Sequence, residues 1–412
     1  MPRSTAIATT LFESITTDAQ LEAYCRQLKA AQAIAFDTEF VAENTFRPVL
    51  CQVQVAADGQ LAVIDPVGIT DIRPFWEALA QDGHSSLVHS GRGEVEFCLQ
   101  AVGRPPANLF DVQLAAGLAG VEYPAGLSTL LTKLLGRSSK KHETRTDWRR
   151  RPLSSRQIEY ALDDVRFLQP LRDALQEKLS AWDRLDWLHE ETETWLAEIQ
   201  RAMTEQRWWK VSGNTNLNPR GLAIVRELWR WRQAEAERRD RPPRTVLRDD
   251  LIIEMARRQT ADLKQVQAVR GMEWGKLRRQ LPEIVAAIEL ALATPEKECP
   301  PPAPRDTLPQ LAMLGQFLSA ALTSLCRQRN LAASLVGTPS DVRDLILYRT
   351  GQHNDDDLPH LAHGWRAQVV GRLFEDLLDG KMAIRITDPS SEHPLAIEPV
   401  SGNPSVVEAT PD

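Results

Sequence analysis

Asp37 and Glu39 end the apolar run of "QAIAFDTEF" (residues 32–40), with Thr38 alone between them. In an extended chain residues i and i+2 share a face, so these two carboxylates project together. Like charges held that close raise each other's pKa. Such a pair either splays into water at a strand end or holds a multivalent cation between its members. Further along, "IEYALDDVRFL" sets Tyr160 and Asp164 four residues apart, the spacing that aligns side chains on one helix face, with Asp163 one step round. By itself Y-x-x-x-D specifies only a surface hydrogen bond. If it is brought to the strand acids, it supplies the additional oxygen ligand that a hard cation needs. A carboxylate set without Cys or clustered His favours Mg²⁺ or Mn²⁺ over Zn²⁺.

The elements that would position these groups form an α/β part followed by helices. Residues 33–36, 49–55 and 61–64 read as strands; in "VLCQVQV" Val49, Cys51, Val53 and Val55 alternate. A helix over 70–81, a short strand at "SLVHS" and helices over 92–102, 112–119 and 126–135 follow. A long helix capped at Ser154 or Ser155 is expected to run through Leu179. The order suggests a mixed sheet with helices packed on it.

From residue 186 the sequence turns helical and rich in Trp, Arg and Glu. Pro242 and Pro243 end the amphipathic stretch "LAIVRELWRWRQAEAERRD". Six prolines among residues 295–309 mark a linker. "LRDDLI", ending at Ile252, is echoed by "DVRDLI", ending at Ile346, which is consistent with a duplicated helical unit. The domains expected are 1–185 (α/β), 186–213 (helical linker), 214–296 and 309–384 (small helical units joined by linker 297–308), and 385–412 (acidic disordered tail).

Charge and cysteine content bound the partners. The net charge is −7, but five of the seven excess negative charges follow Arg385, where there is no Lys or Arg. Residues 133–151 carry eight Lys or Arg, which suits either a solvated face or a phosphate-contacting rim. Five widely spaced cysteines with no C-x-x-C pair indicate free thiols in a reducing compartment. With no signal-peptide pattern and no membrane-length apolar run, a cytoplasmic location away from membranes is expected.

Taken together, "FDTEF" (36–40), "EYALDDV" (159–165) and the stretch "TRTDWRRRPLSSRQIEYALDDV" (144–165) resemble the DEDDy superfamily of 3′–5′ exonucleases and, within it, the ribonuclease D family. "AVIDP" (62–66) fits as well. "LWRWRQAEAERRDRPPRTVLRDDLI" and "LPHLAHGWRAQVVGRLFEDLLDG" look like parts of two HRDC domains, so the likeness spans roughly residues 15–382. The resemblance implies a ribonuclease H-like exonuclease domain followed by two small all-α HRDC-like domains. It also implies removal of 5′-mononucleotides from RNA 3′ ends, tRNA precursors among them, using two Mg²⁺ or Mn²⁺ ions about 3.5–4 Å apart; the sequence does not fix the oligomeric state, and a monomer is the expectation. Asp37, Glu39 and Asp164 would hold one ion, Asp37 and Glu94 the other, and Tyr160 would orient the attacking water. One letter departs from the pattern: in "HSGRGEVEF" (89–97) the family has aspartate where this chain has Glu94. Two alternatives follow, a DNA exonuclease on the same scaffold or an RNA-binding protein with a weakened site; Asp111 is the other acid that could complete the site. His89 reads as a hydrogen-bonded core residue, "GRG" (91–93) as a helix start, and Trp208, Trp209, Trp229 and Trp231 mainly as core.

Overall fold

The computed structural model describes residues 11–138, 146–272, 275–302, 309–351 and 358–400. A mixed six-stranded sheet forms the N-terminal part. Its strands are β1 (Glu13–Ile15), β2 (Ala33–Val41), β3 (Val49–Ala57), β4 (Gln60–Ile64), β5 (Ser85–Val88) and β6 (Leu109–Asp111), in the order β1-β4-β3-β2-β5-β6. β3 is antiparallel to β2 and β4; the other pairings are parallel. Around the sheet lie α1 (Asp18–Leu28), α2 (Arg73–Leu79), α3 (Arg92–Val102), α4 (Val112–Leu118), α5 (Leu127–Leu135), α6 (Ser155–Arg166), α7 (Leu168–Ala181) and α8 (Leu185–Thr204). Phe36 of β2 packs edge to face with Phe75 and Trp76, and all three are almost fully buried.

The single helix expected from Ser154 through Leu179 is two helices. Ser154 caps the first in a capping box with Gln157. The break falls at Phe167, whose ψ is 3°. Pro170 explains it: in a continuous helix its ring would meet the carbonyl of Arg166, and it has no N–H to donate.

The helical part repeats. α9 (Pro219–Arg238), a short helix Pro243–Val246 and a helix Asp249–Arg258 are followed, each 90 residues on, by Pro309–Gln328, Ala333–Val336 and Pro339–Arg349. The "LRDDLI" echo is therefore one helical turn out of register, a slip that keeps the same buried face. The first unit has its own core, built on Ile224, Leu228, Ile252 and Ile284. The helices of the second also pack on one another, but their core is not separate. Leu318, Leu322, Leu335, Ile346, Trp365 and Phe374 share one continuous core with Leu87, Leu118, Leu171 and Leu175 of the α/β part. Polar contacts reinforce this seam. Arg184 donates to the carbonyls of Leu118 (2.7 Å) and Asn330 (2.9 Å), and the Arg366 guanidinium grips the Glu191 carboxylate at 2.6 and 2.9 Å.

The expected disordered tail is corrected for residues 385–400. Met382–Ile386 and Leu395–Pro399 form an antiparallel hairpin in which Ile384 opposes Ile397, and both pack on the shared core. Alternating apolar residues in "MAIRI" and "LAIEP" supply this face, and the surrounding Pro, Ser and acidic residues mask it in the composition. Residues 401–412 of the tail, 303–308 of the linker and 139–145 of the basic run lie outside the described residues. Among the described residues no helix is long and apolar enough to cross a membrane.

Candidate active site

β2 delivers the two strand acids. The strand is paired on both sides only up to Ala35, because β5 ends at Val88; beyond that, one edge is free. A register shift against β3 falls between Glu39 and Phe40, the kind of bulge that re-aims side chains at sites. From the third turn of α6, Asp164 comes to meet the strand. Asp37, Glu39 and Asp164 each place a carboxylate oxygen within 4.8 Å of the others, and all three are half-buried. Tyr160, one turn back on α6, hydrogen-bonds to Asp164, and its ring lies 6.2 Å from that of buried Trp148.

Glu94 stands outside this triad of oxygens. It sits in the first turn of α3, where a negative charge meets the positive end of the helix, and it is 4% exposed. Its Oε1 accepts from the Thr38 N–H at 3.2 Å and from the Thr38 hydroxyl at 2.5 Å. Thr38 lies beyond the end of β5, so its N–H has no ladder partner, and the Glu94 side chain takes the place of the missing strand. This accounts for a glutamate here, because an aspartate from the same helix position falls a methylene short.

Asp111 has a different task. At the end of β6 it accepts from the backbone N–H groups of Ser90 (3.1 Å), Gly91 (2.9 Å) and Gln113 (2.7 Å). It caps α4 and fixes the turn that launches α3, and so it positions Glu94. Gly91 is required in that turn, since a Cβ would lie 2.4 Å from a Val88 methyl. His89 serves the fold, as expected of a core histidine: its Nε2 meets the Ala125 carbonyl at 2.8 Å. Trp208, Trp229 and Trp231 pack on the first helical core, whereas Trp209 is 42% exposed.

Two residues escape a reading of the sequence alone. Gln54 opposes Asp37 across the ladder and donates to its Oδ2 at 2.5 Å; Gln52 opposes Glu39 and donates to Gln54 at 3.3 Å. Both are fully buried. The signal is present in "VLCQVQV": amides interleaved with valines read as a solvent face, but here that face is the site. Another motif finds its role in Arg151. It binds both Asp65 oxygens (2.5 and 2.8 Å) and the carbonyls of Cys51 and Trp148 (each 2.7 Å). The "AVIDP" aspartate thus pins the segment that leads into α6 and lays Trp148 against Tyr160.

The acids repel within this enclosure. Burial, then Glu94, Asp164 and Glu39, raise Asp37 well above the usual carboxylate range. Burial followed by Asp164 and Glu94 pushes Glu39 up to about 8. Burial and Asp163 push Asp164 to about 7, against the Tyr160 hydrogen bond. Glu94 is raised by burial, which Thr38 opposes by hydrogen bonding. Burial and the surrounding acids raise the Tyr160 phenol as well, so the hydroxyl keeps its proton and acts as a donor.

A 3′–5′ exonuclease family model matches residues 12–180, and an HRDC domain model matches residues 221–288. Ribonuclease D of Acidiphilium cryptum is 33% identical over 380 residues, covering 90% of this chain and 94% of that protein. Ribonuclease D of Escherichia coli is 28% identical over 369 residues, 89% of this chain and 98% of its own length. The crystal structure of E. coli RNase D, described as an exoribonuclease involved in structured RNA processing, superposes with a TM-score of 0.81 over 90% of this chain and 99% of that one. The sheet with its converged acids lies within the exonuclease match and most of α9 within the HRDC match, and the chain belongs to the ribonuclease D family of 3′–5′ exoribonucleases.

Proposed function

We propose that this enzyme is a cytoplasmic, monomeric, divalent-metal-dependent exoribonuclease that trims the 3′ ends of structured RNA, tRNA precursors among them, one 5′-mononucleotide at a time. The observation that carries the reading is the convergence of Asp37, Glu39 and Asp164 within 4.8 Å, from a strand and a helix far apart in sequence. Residues 214–296 and 309–384 would act as two HRDC-type units that hold the body of the RNA.

The donor set fits hard cations. Its ligands are all carboxylates, they are buried enough to repel one another strongly, and a bound cation would relieve that repulsion. Gln52 Oε1 is a buried acceptor with no donor in hydrogen-bond reach among the described residues, consistent with a hydrated ion in the site. Asp37, Glu39 and Asp164 would hold one Mg²⁺ or Mn²⁺, and Asp37 with Glu94 a second. Bound there, the metal supplies charge stabilisation at the phosphate and a more acidic water.

The chain's own residues do the rest. Gln54 fixes the rotamer of Asp37 by donating to Oδ2. Thr38 anchors Glu94. The Tyr160 hydroxyl orients the attacking water, and Trp148 packs behind its ring. Water adds at the last phosphorus, the P–O3′ bond breaks, and the terminal nucleotide leaves with its 5′ phosphate.

The test is to incubate the protein with 5′-labelled tRNA precursor and with single-stranded DNA of matched sequence, in Mg²⁺, Mn²⁺ or EDTA. A one-nucleotide ladder on RNA, abolished by EDTA, is expected. Preferential shortening of the DNA, or RNA shortening unaffected by EDTA, would overturn the reading.

A further inference from the structure

The loop joining β2 to β3 (residues 42–48) leaves the catalytic strand and docks on the first helical unit. The Phe46 N–H donates to Asp240 at 3.0 Å, and Arg47 pairs with Glu237 at 2.7 Å. Beside this contact lies a cleft of about 770 Å³, lined on one side by Asn44 and on the other by residues of the helical unit. Three guanidinium groups line it, Arg239, Arg241 and Arg248, and no carboxylate does among the described residues. Arg239 is paired with Glu235, and Arg248 with Asp250 at 2.7 Å, so both are held in place. Arg241 is exposed and, among the described residues, has no carboxylate within ion-pair distance. Val246 and Leu251 add an apolar wall, and Gly271, at φ +101°, brings bare backbone to the lining.

Cationic side chains beside an apolar wall suit a phosphate with its base rather than a lone anion, and the volume lies within the usual range for small-ligand sites. Location narrows the ligand. Asn44 follows Glu39 by five residues, at most about 18 Å of extended chain. A strand whose last nucleotide lies at Asp37 therefore reaches the cleft within its next few nucleotides.

We propose that this seam cleft binds the substrate RNA strand upstream of its 3′ end, with Arg241 and Arg248 on its phosphodiesters and a base against Val246 and Leu251. The proposal rests on the exoribonuclease reading given above. It makes the first helical unit, through the loop between the two catalytic strands, a selector for substrates longer than the site itself. A dinucleotide ends before the cleft.

The experiment compares the full-length wild type with the double variant Arg241→Ala/Arg248→Ala on a 12-nucleotide single-stranded RNA and on a dinucleotide, across a salt series. Neither side chain supports the core, so the thermal midpoint is expected to hold. For the 12-mer, kcat/KM is expected to fall at least tenfold. Its log–log salt slope should shrink by about 1.4, or about 0.7 for each single-strand phosphate that is no longer neutralised. For the dinucleotide, kcat/KM stays within twofold. Equal effects on both substrates, or an unchanged salt slope, overturn the proposal. So does inhibition by 5′-AMP that vanishes in the variant while the 12-mer rate is untouched, since that would assign the cleft to a free nucleotide. A wild type that shortens neither RNA removes the exoribonuclease reading and the cleft proposal together.

Discussion

Glu94 allows charge and reach to be separated by two substitutions. In Glu94→Gln the amide oxygen can still accept from the Thr38 N–H and hydroxyl, which reach Glu94 at 3.2 and 2.5 Å, so the strand edge stays satisfied. What is lost is one negative charge beside Asp37. Loss of such a charge is expected to slow nucleotide release by about 10²–10³-fold, or about 3–4 kcal/mol of barrier. Glu94→Asp does the reverse. It keeps the charge but draws the carboxylate back by about 1.5 Å, giving up both Thr38 bonds at a net cost of about 0.5–1.5 kcal/mol each. Its rate is expected to stay within about tenfold of wild type (about 1.4 kcal/mol) while its thermal midpoint drops. The assay is single-turnover release of 5′-mononucleotide from labelled RNA, at saturating Mg²⁺ and across a metal titration, alongside thermal melts. Near-wild-type rate and metal dependence in Glu94→Gln would falsify the assignment. If, in addition, Asp111→Asn were folded but inactive while Glu94→Gln kept the wild-type rate, the role would pass to Asp111, whose oxygens the structure commits to the backbone of Ser90, Gly91 and Gln113.

Other expectations follow from the same contacts. Arg151→Ala breaks a bidentate, largely buried pair with Asp65 and frees the segment holding Trp148. It should lower kcat at least tenfold with little change in KM for a dinucleotide, and Arg151→Lys, which cannot make the fork, should not restore it; a pure KM effect would contradict this. Tyr160→Phe removes only the hydroxyl, so much of the rate should go while the affinity measured by metal titration stays, and unchanged turnover would return Tyr160 to a packing role. Ending the chain at residue 302 strips the second helical unit from the shared core and leaves Arg184 without the Asn330 carbonyl. Activity on tRNA precursor and on a short oligonucleotide should fall together with the melting temperature; selective loss on the precursor would mean that the unit serves only to bind RNA.

How much of the fold and site is legible in the sequence depends on which interactions are local. The D-x-E and Y-x-x-x-D patterns are legible because periods of 2 and 3.6 fix faces without further information. Their meeting is contained in neither pattern and rests on family resemblance. Gln52 and Gln54 are hidden because a polar residue on a strand announces only that its face is not core. Glu94 is located by resemblance, but the reason for its length, an unpaired Thr38 N–H beyond the end of β5, is a fact of sheet register. The second helical unit shows the same limit. Its amphipathic helices announce a buried face, and only the tertiary structure shows that the core they form runs on without a break into the α/β part.

The most direct test of the central claim, that the converged carboxylates carry out the hydrolysis, is the rate of mononucleotide release by Asp37→Asn. Asparagine is nearly isosteric, and its carbonyl can still accept from Gln54, which reaches Asp37 at 2.5 Å in the wild type. The substitution therefore removes charge and leaves packing in place. With the fold verified by circular dichroism, the rate on labelled RNA in saturating Mg²⁺ is expected to fall by at least about 10³-fold, or about 4 kcal/mol. A folded Asp37→Asn protein that releases nucleotides within about tenfold of the wild-type rate (about 1.4 kcal/mol) would contradict the account.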